Sequence, residues 1–273
     1  MEPDRLTAAQ KRKVMAIMAA VVIVLAGLLA LLFAAIERKD AGKAGKPAVD
    51  GAQAYAYTYA EASNGMKLHV LMSQPSNLTL EVINGNVTRS GKTGVNGGFF
   101  YAEGLISLAV VNGQAVNGPN ESYGSGYENM KYKRGTLVWD AASDSLSVQV
   151  AGSASELQVT DAGRFWAQGG ISMSLGDEEG WRTQAAAENA PFPDDLRLRS
   201  GAVYDDRGQV YLVVSENEGT LEQFRSAAAE TVGQGRLLDG IFLDGDGSSQ
   251  LLSKEAALAG DNRSVVQMIR IMK

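Results

Sequence analysis

From Val14 to Ile36 the chain reads VMAIMAAVVIVLAGLLALLFAAI, 23 residues without a charged side chain. A helix needs roughly 20 apolar residues to cross the hydrocarbon core of a bilayer, so this stretch is long enough to span. The rival reading is a cleaved signal peptide, with Lys11-Arg12-Lys13 as its basic leader. A signal peptide has an apolar core of about 7–15 residues and ends at a small-x-small site. Here the core is longer, and Phe33-Ala34-Ala35-Ile36 offers no such site. The expectation is an uncleaved transmembrane helix over 14–36, preceded by a short cytoplasmic tail over 1–13. Four basic residues precede the span and four follow it, but three of the first group abut it, which favours the N-terminus inside. The rest of the chain then lies outside the cytoplasm, in a single-pass protein of the cell membrane.

Residues 37–53 are polar and rich in Gly, Ala and Lys, as a linker would be. The remainder, 54–273, is long enough for one domain with a sizeable core. Cysteine is absent from the chain, which excludes disulfides, thiolate metal sites, cysteine nucleophiles and lipoprotein anchoring. A single histidine, His69, leaves no material for a multi-histidine zinc site. Residues 51–273 carry 17 Lys and Arg against 26 Asp and Glu, and no basic stripe. Nucleic acid is therefore not an expected partner.

The domain reads mainly as strands. Met66–Met72, Leu78–Ile83 and Leu146–Val150 alternate as half-buried strands do. Leu108–Val116 is a hairpin signal in which Asn112-Gly113 supplies the two positive-φ turn positions. Ala202–Val214 reads as a second hairpin. One helix is marked by the capping-box spacing Thr220 to Gln223, by apolar residues at 221, 224, 228 and 232, and by closing glycines at 233 and 235. Leu237–Leu243 then reads as a buried strand running into Asp244. The expected class is α+β: a mixed, mainly antiparallel set of sheets with few helices, preceded by the transmembrane helix.

Three loops could carry chemistry. In Gly94-Val-Asn96-Gly97-Gly98-Phe99-Phe100, adjacent glycines could bring N–H groups to an anion or a sugar, or simply form a tight turn. In Leu196-Arg197-Leu198-Arg199-Ser200, alternation at a strand start puts both guanidiniums on one face. Such a face could clamp phosphate or be a solvated surface. In Leu243-Asp244-Gly245-Asp246-Gly247-Ser248-Ser249, two carboxylates and two hydroxyls follow an apolar strand. Asp244, Asp246, Ser248 and Glu255 stand at the first, third, fifth and twelfth positions of a calcium loop. However, Ser249 occupies the position that requires Gly, so no metal is expected. His69, in a strand far from these loops, reads as structural.

Taken together, GVNGGFF, LRSGAVYDDRGQVYLVVSE, LDGIFLDGDGSSQLL and the closing RSVVQMIRI resemble, in order and spacing, the phosphodiester glycosidase family. The resemblance covers roughly residues 55–273. Two departures stand out: Asp246 replaces the middle Gly of the commonest Asp-Gly-Gly-Gly-Ser-Ser loop, and the arginine segment reads Arg199-Ser-Gly-Ala-Val203. What the resemblance implies is hydrolysis of a glycosyl phosphodiester at the anomeric carbon, in envelope glycopolymers or exopolysaccharide, without a cofactor. Its alternative is a non-catalytic glycopolymer-binding module. A phosphate leaves readily, so the site needs a carboxylate to activate water or attack C1, and a cation to hold the phosphate. The candidates are Asp244 as that carboxylate, Asp246 as second choice or tuning partner, and Arg199 as clamp. Asn96, Gly97, Gly98, Ser248 and Ser249 are the candidates for orienting sugar hydroxyls or phosphate oxygens.

Overall fold

The computed structural model describes residues 54–272, so the expected tail, span and linker lie outside the described residues. Among the described residues no helix is long and apolar enough to cross a membrane. Eighteen strands form three sheets and a hairpin. The first sheet has the order β1 (Ala56–Glu61), β2 (Lys67–Ser73), β14 (Val210–Ser215), β13 (Ser200–Asp205), β15 (Leu237–Phe242) and β12 (Ile171–Ser172). The second runs β10 (Ser145–Ala151), β9 (Arg134–Asp140), β11 (Phe165–Gly169), β7 (Ala109–Val111) and β8 (Gln114–Ala115). The third runs β17 (Ala257–Leu258), β16 (Leu251–Leu252), β4 (Gly94–Asn96), β18 (Val265–Ile271) and β3 (Leu78–Gly85). A small hairpin pairs β5 (Phe100–Tyr101) with β6 (Gly104–Leu105). Two α-helices complete the described fold, α1 (Trp181–Ala187) and α2 (Leu221–Thr231).

Every pairing between these strands is antiparallel, which corrects the expectation of a mixed sheet. Parallel neighbours need a crossover connection, usually a helix. The one long helix, α2, does link β14 to β15, but β13 lies between them and is antiparallel to both. The remaining parallel contact is an isolated bridge between Leu105 and Ser125.

The first sheet is covered on both faces. Leu71, Ala202, Leu212, Val214 and Ile241 face a core shared with Leu80, Val95 and Ile269 of the third sheet and Leu137 and Trp166 of the second. The alternate residues Leu68, Val70, Val203, Val213 and Phe242 pack under Trp181 of α1 and Leu221, Phe224 and Ala228 of α2. Strands covered on both sides read as continuous apolar runs. That explains why β2, whose alternation suggested a half-buried strand, is buried along nearly its whole length. By contrast β15 is buried only over its second half, with Leu238 at 52% exposure. Its neighbour β12 is two residues long and reaches only Ile241 and Phe242, so the first half of β15 lacks cover on that side.

The local signals behave as chain physics requires. At the β7–β8 turn Asn112 and Gly113 both take positive φ (51° and 76°), as the expected hairpin needs. At the start of α2 the Thr220 hydroxyl accepts from the Gln223 N–H (3.1 Å), and Gln223 Oε1 accepts from the Thr220 N–H (2.9 Å). The capping box therefore forms in full. The Arg197–Arg199 segment is not yet strand: β13 starts at Ser200, and Arg197 makes only an isolated bridge to Gly219.

Candidate functional site

The end of β15 is threaded between two other segments. Leu243 N–H donates to Ser200 O (2.9 Å), Asp244 N–H to Gly97 O (3.2 Å) and Asp246 N–H to Leu198 O (2.7 Å). Asn96 ties all of these together. Its Oδ1 accepts from the Ser200 hydroxyl (2.9 Å) and Gln250 N–H (3.0 Å), while its Nδ2 donates to Gly97 O (3.1 Å) and Asp244 O (2.8 Å). Residues 104, 148 and 154 positions away in sequence are thus joined by one amide. The three loops singled out in the sequence do meet.

They meet beside a small open cleft. Asp244, Gly245, Asp246, Arg197 and Arg199 line one part of it, and Phe99, Pro191, Phe192 and Phe242 the apolar part. Burial pushes the Asp244 carboxyl up to about 7, the neighbouring Asp246 charge adds to this, and Ser248, Arg263 and the Gly245 N–H oppose it. Arg263 is itself held by Asp261, to which its Nε donates at 2.9 Å. An aspartate poised near neutrality can exchange a proton with a reacting group.

Asp246 sits in the left-handed region (φ 55°), where a glycine costs nothing and an aspartate costs on the order of 1 kcal/mol. Its carboxylate accepts from Arg197 Nη1 at 3.0 Å. Arg197 also donates to Asp195 Oδ2 (3.0 Å) and stacks over the Phe192 ring, 4.0 Å from its centroid. Arg199 is more enclosed, at 4% exposure. Its Nε donates to Gly219 O (2.9 Å), and its Nη2 to Phe192 O (2.8 Å) and Asp195 O (2.7 Å). Burial, with the Arg197 charge, lowers its pKa to about 10, so it stays cationic at neutral pH. No carboxylate pairs with it among the described residues, and its side chain runs beside Gly245 on the cleft wall.

Several expected contact residues are elsewhere. Asn96 is fully buried and makes four internal hydrogen bonds, so it positions the loops instead of facing the cleft. Gly97 gives its N–H to Gln267 O (2.9 Å), and a side chain there would strike Gln267. A side chain at Gly98 would strike Ser107, Gln168 and the Gly169 carbonyl. These glycines are required by close packing in a polar part of the core. Ser248 and Ser249 are each 1% exposed, do not line the cleft, and leave their hydroxyls without hydrogen bonds. Ser248 Oγ is near enough to Asp244 to lower its pKa without bonding geometry. Short side chains are what this tight turn accommodates.

His69 bridges Tyr57 Oη (2.9 Å) and Glu216 (3.4 Å) across the first sheet, a structural position. Of the calcium-loop positions, Asp246 accepts from Arg197 and Glu255 accepts from Tyr55 Oη (3.1 Å). Among the described residues no three His, Cys, Asp or Glu side chains converge. Sequence reasoning missed Phe192. The signal that could have found it is the Pro191-Phe192-Pro193 triplet directly ahead of the two arginines.

Comparison with known proteins adds the fold. No family model matches the sequence, and no curated protein matches it. Among solved structures, the chain is similar to the catalytic domain of zebrafish N-acetylglucosamine-1-phosphodiester α-N-acetylglucosaminidase, with a TM-score of 0.57 and 12% identity over 80% of this chain and 82% of that one. A hypothetical protein from Synechocystis aligns with a TM-score of 0.48 and 13% identity, over 79% of this chain and 61% of that one. At such identity the likeness is one of fold.

Proposed function

We propose that this domain is a membrane-anchored, extracytoplasmic hydrolase that cleaves glycosyl phosphodiester bonds in envelope glycopolymers or exopolysaccharide. The observation that carries the reading is Asp244, with a carboxyl near pKa 7, in one cleft with the cations of Arg197 and Arg199. The fold shared with a phosphodiester glycosidase domain supports it. Ionised Asp244 takes the proton of a water that attacks C1 as the C1–O bond to phosphate breaks, or attacks C1 itself to form a glycosyl ester that water then hydrolyses. The bonding electrons leave with the phosphate oxygen, and the products are the free sugar and a phosphate monoester. Arg199, through the guanidinium edge not committed to carbonyls, and Arg197, exchanging Asp246 for substrate, hold the departing phosphate. The charge of Asp246 keeps Asp244 basic.

The deciding experiment is a release assay. The full chain is incubated with the methyl ester of N-acetylglucosamine-1-phosphate and with other glycosyl phosphodiesters, and free sugar is measured. Release by the wild type, lost in Asp244→Asn, supports the reading. A second reading, a glycopolymer-binding module, is favoured by the spent state of the cations. Three donors of Arg199 are bonded to carbonyls, and Arg197 is paired with two aspartates. Saturable binding of the diester without release would select it.

A further inference from the structure

Phe192 stands on the cleft wall with 57% of its surface exposed, an aromatic ring that the core does not use. Its backbone is left-handed, with φ 49°, a conformation that a bulky residue rarely adopts. The strain is held from both sides. Arg199 Nη2 donates to its carbonyl at 2.8 Å, and the next carbonyl, that of Pro193, accepts from the N–H of Leu221 at the start of α2. Prolines on either side restrict the unfolded chain, so the ring is presented at little entropic cost. Arg197 stacks on one face of the ring, 4.0 Å from its centroid, while more than half of the residue stays exposed. Residues held in such sparsely populated backbone conformations cluster at ligand-binding sites.

We propose that the open face of Phe192 is the stacking platform for a pyranose ring of the substrate, an inference that rests on the glycosyl phosphodiester reading. One face of a pyranose is a sheet of C–H groups, apolar and weakly positive, which matches the negative face of an aromatic ring. The hydroxyl rim would then reach past the ring edge toward Asp246, which lines the same cleft.

The test uses the full chain and the methyl ester of N-acetylglucosamine-1-phosphate. Phe192→Gly removes the ring and also the strain, since glycine adopts positive φ freely. The expected result is a KM raised about tenfold, kcat changed by less than about threefold, and a melting temperature unchanged or higher. Phe192→Trp restores KM. A Phe192→Gly KM within about twofold of wild type overturns the platform. If the wild type releases no sugar, the reaction assigned above fails separately, and methyl α-N-acetylglucosaminide is titrated into Phe192→Trp while tryptophan emission is followed. A saturable change, absent when Trp is placed at the exposed Leu238 instead, sustains the platform; no change overturns it.

Discussion

Asp244→Asn tests the electrostatics of the cleft in two independent ways. The carboxyl moves from 3.8 in an ordinary setting to about 7 in the folded protein. The folded state therefore holds a proton that the unfolded state has released, and stability falls as pH rises between those values. Between pH 5.5 and 8.5 this one group costs the wild type on the order of 2 kcal/mol. Asparagine keeps the shape and accepts from the Gly245 N–H, but has no proton to lose. The variant should thus gain on the wild type as pH rises. With about 2–4 °C per kcal/mol for a domain of this size, the melting-temperature difference should grow by roughly 4–8 °C across that range. Circular dichroism melts of both full chains at the two pH values measure it. Starting above pH 5.5 avoids the sequence pI near 5.0, where loss of net charge promotes precipitation. In the same variant, release of sugar should fall about 10²–10⁴-fold. The wild-type rate should rise with pH to a plateau above about 7, because the ionised form is the active one. A melting difference that stays constant with pH would refute the buried, proton-holding carboxyl, whatever happens to activity.

Asp246→Gly relieves a left-handed aspartate and gives up a partly exposed ion pair with Arg197, so its stability should match wild type to within about 1 kcal/mol by urea titration. It should retain sugar release, and its abolition alongside an active Asp244→Asn would exchange the roles of the two aspartates. Arg199→Lys cannot reach three carbonyls at once and should lose about 2–4 kcal/mol by denaturant midpoint, besides weakening diester turnover; an unchanged midpoint would contradict the carbonyl clamp. If residues 14–36 span the membrane, the full chain should stay with membranes through a high-salt wash and be degraded by protease added to intact spheroplasts. Recovery from culture fluid with a new N-terminus near residue 36 would show cleavage instead.

What the sequence disclosed and what it concealed have a common physical basis. Short-range devices were readable: the capping box at Thr220, the Asn112-Gly113 turn, and the run of β15 into Asp244 each depend on a few adjacent residues. The approach of the three loops was readable only through their shared order and spacing, since each loop alone also reads as a turn or a surface. Which atoms of those loops face outward was not. Asn96, Ser248 and Ser249 look like ligands for a sugar, but a buried amide bonded to Ser200, Asp244 and Gln250 has the same one-letter code. Arg197 and Arg199 are two residues apart, yet one is bonded mainly to carboxylates and the other to carbonyls, a difference set by loops 20 to 50 residues away. Phe192 escaped notice because its conformation is decided by Arg199 and α2, not by its neighbours.

The position of β18 bears on when this domain can become itself. The last of the described strands, Val265–Ile271, is seated between β3 and β4, and its Gln267 carbonyl takes the N–H of Gly97 beside the cleft. During synthesis or export, then, β3 has no sheet partner, and β4 lacks one of its two, until this strand has emerged. Closure across so long a stretch of chain is slow, and the waiting edges are open to chaperones, proteases and stray strands. A chain truncated by eight residues loses the middle of a sheet, not its margin. The sheet on which the cleft is built therefore closes only once this late strand has been delivered.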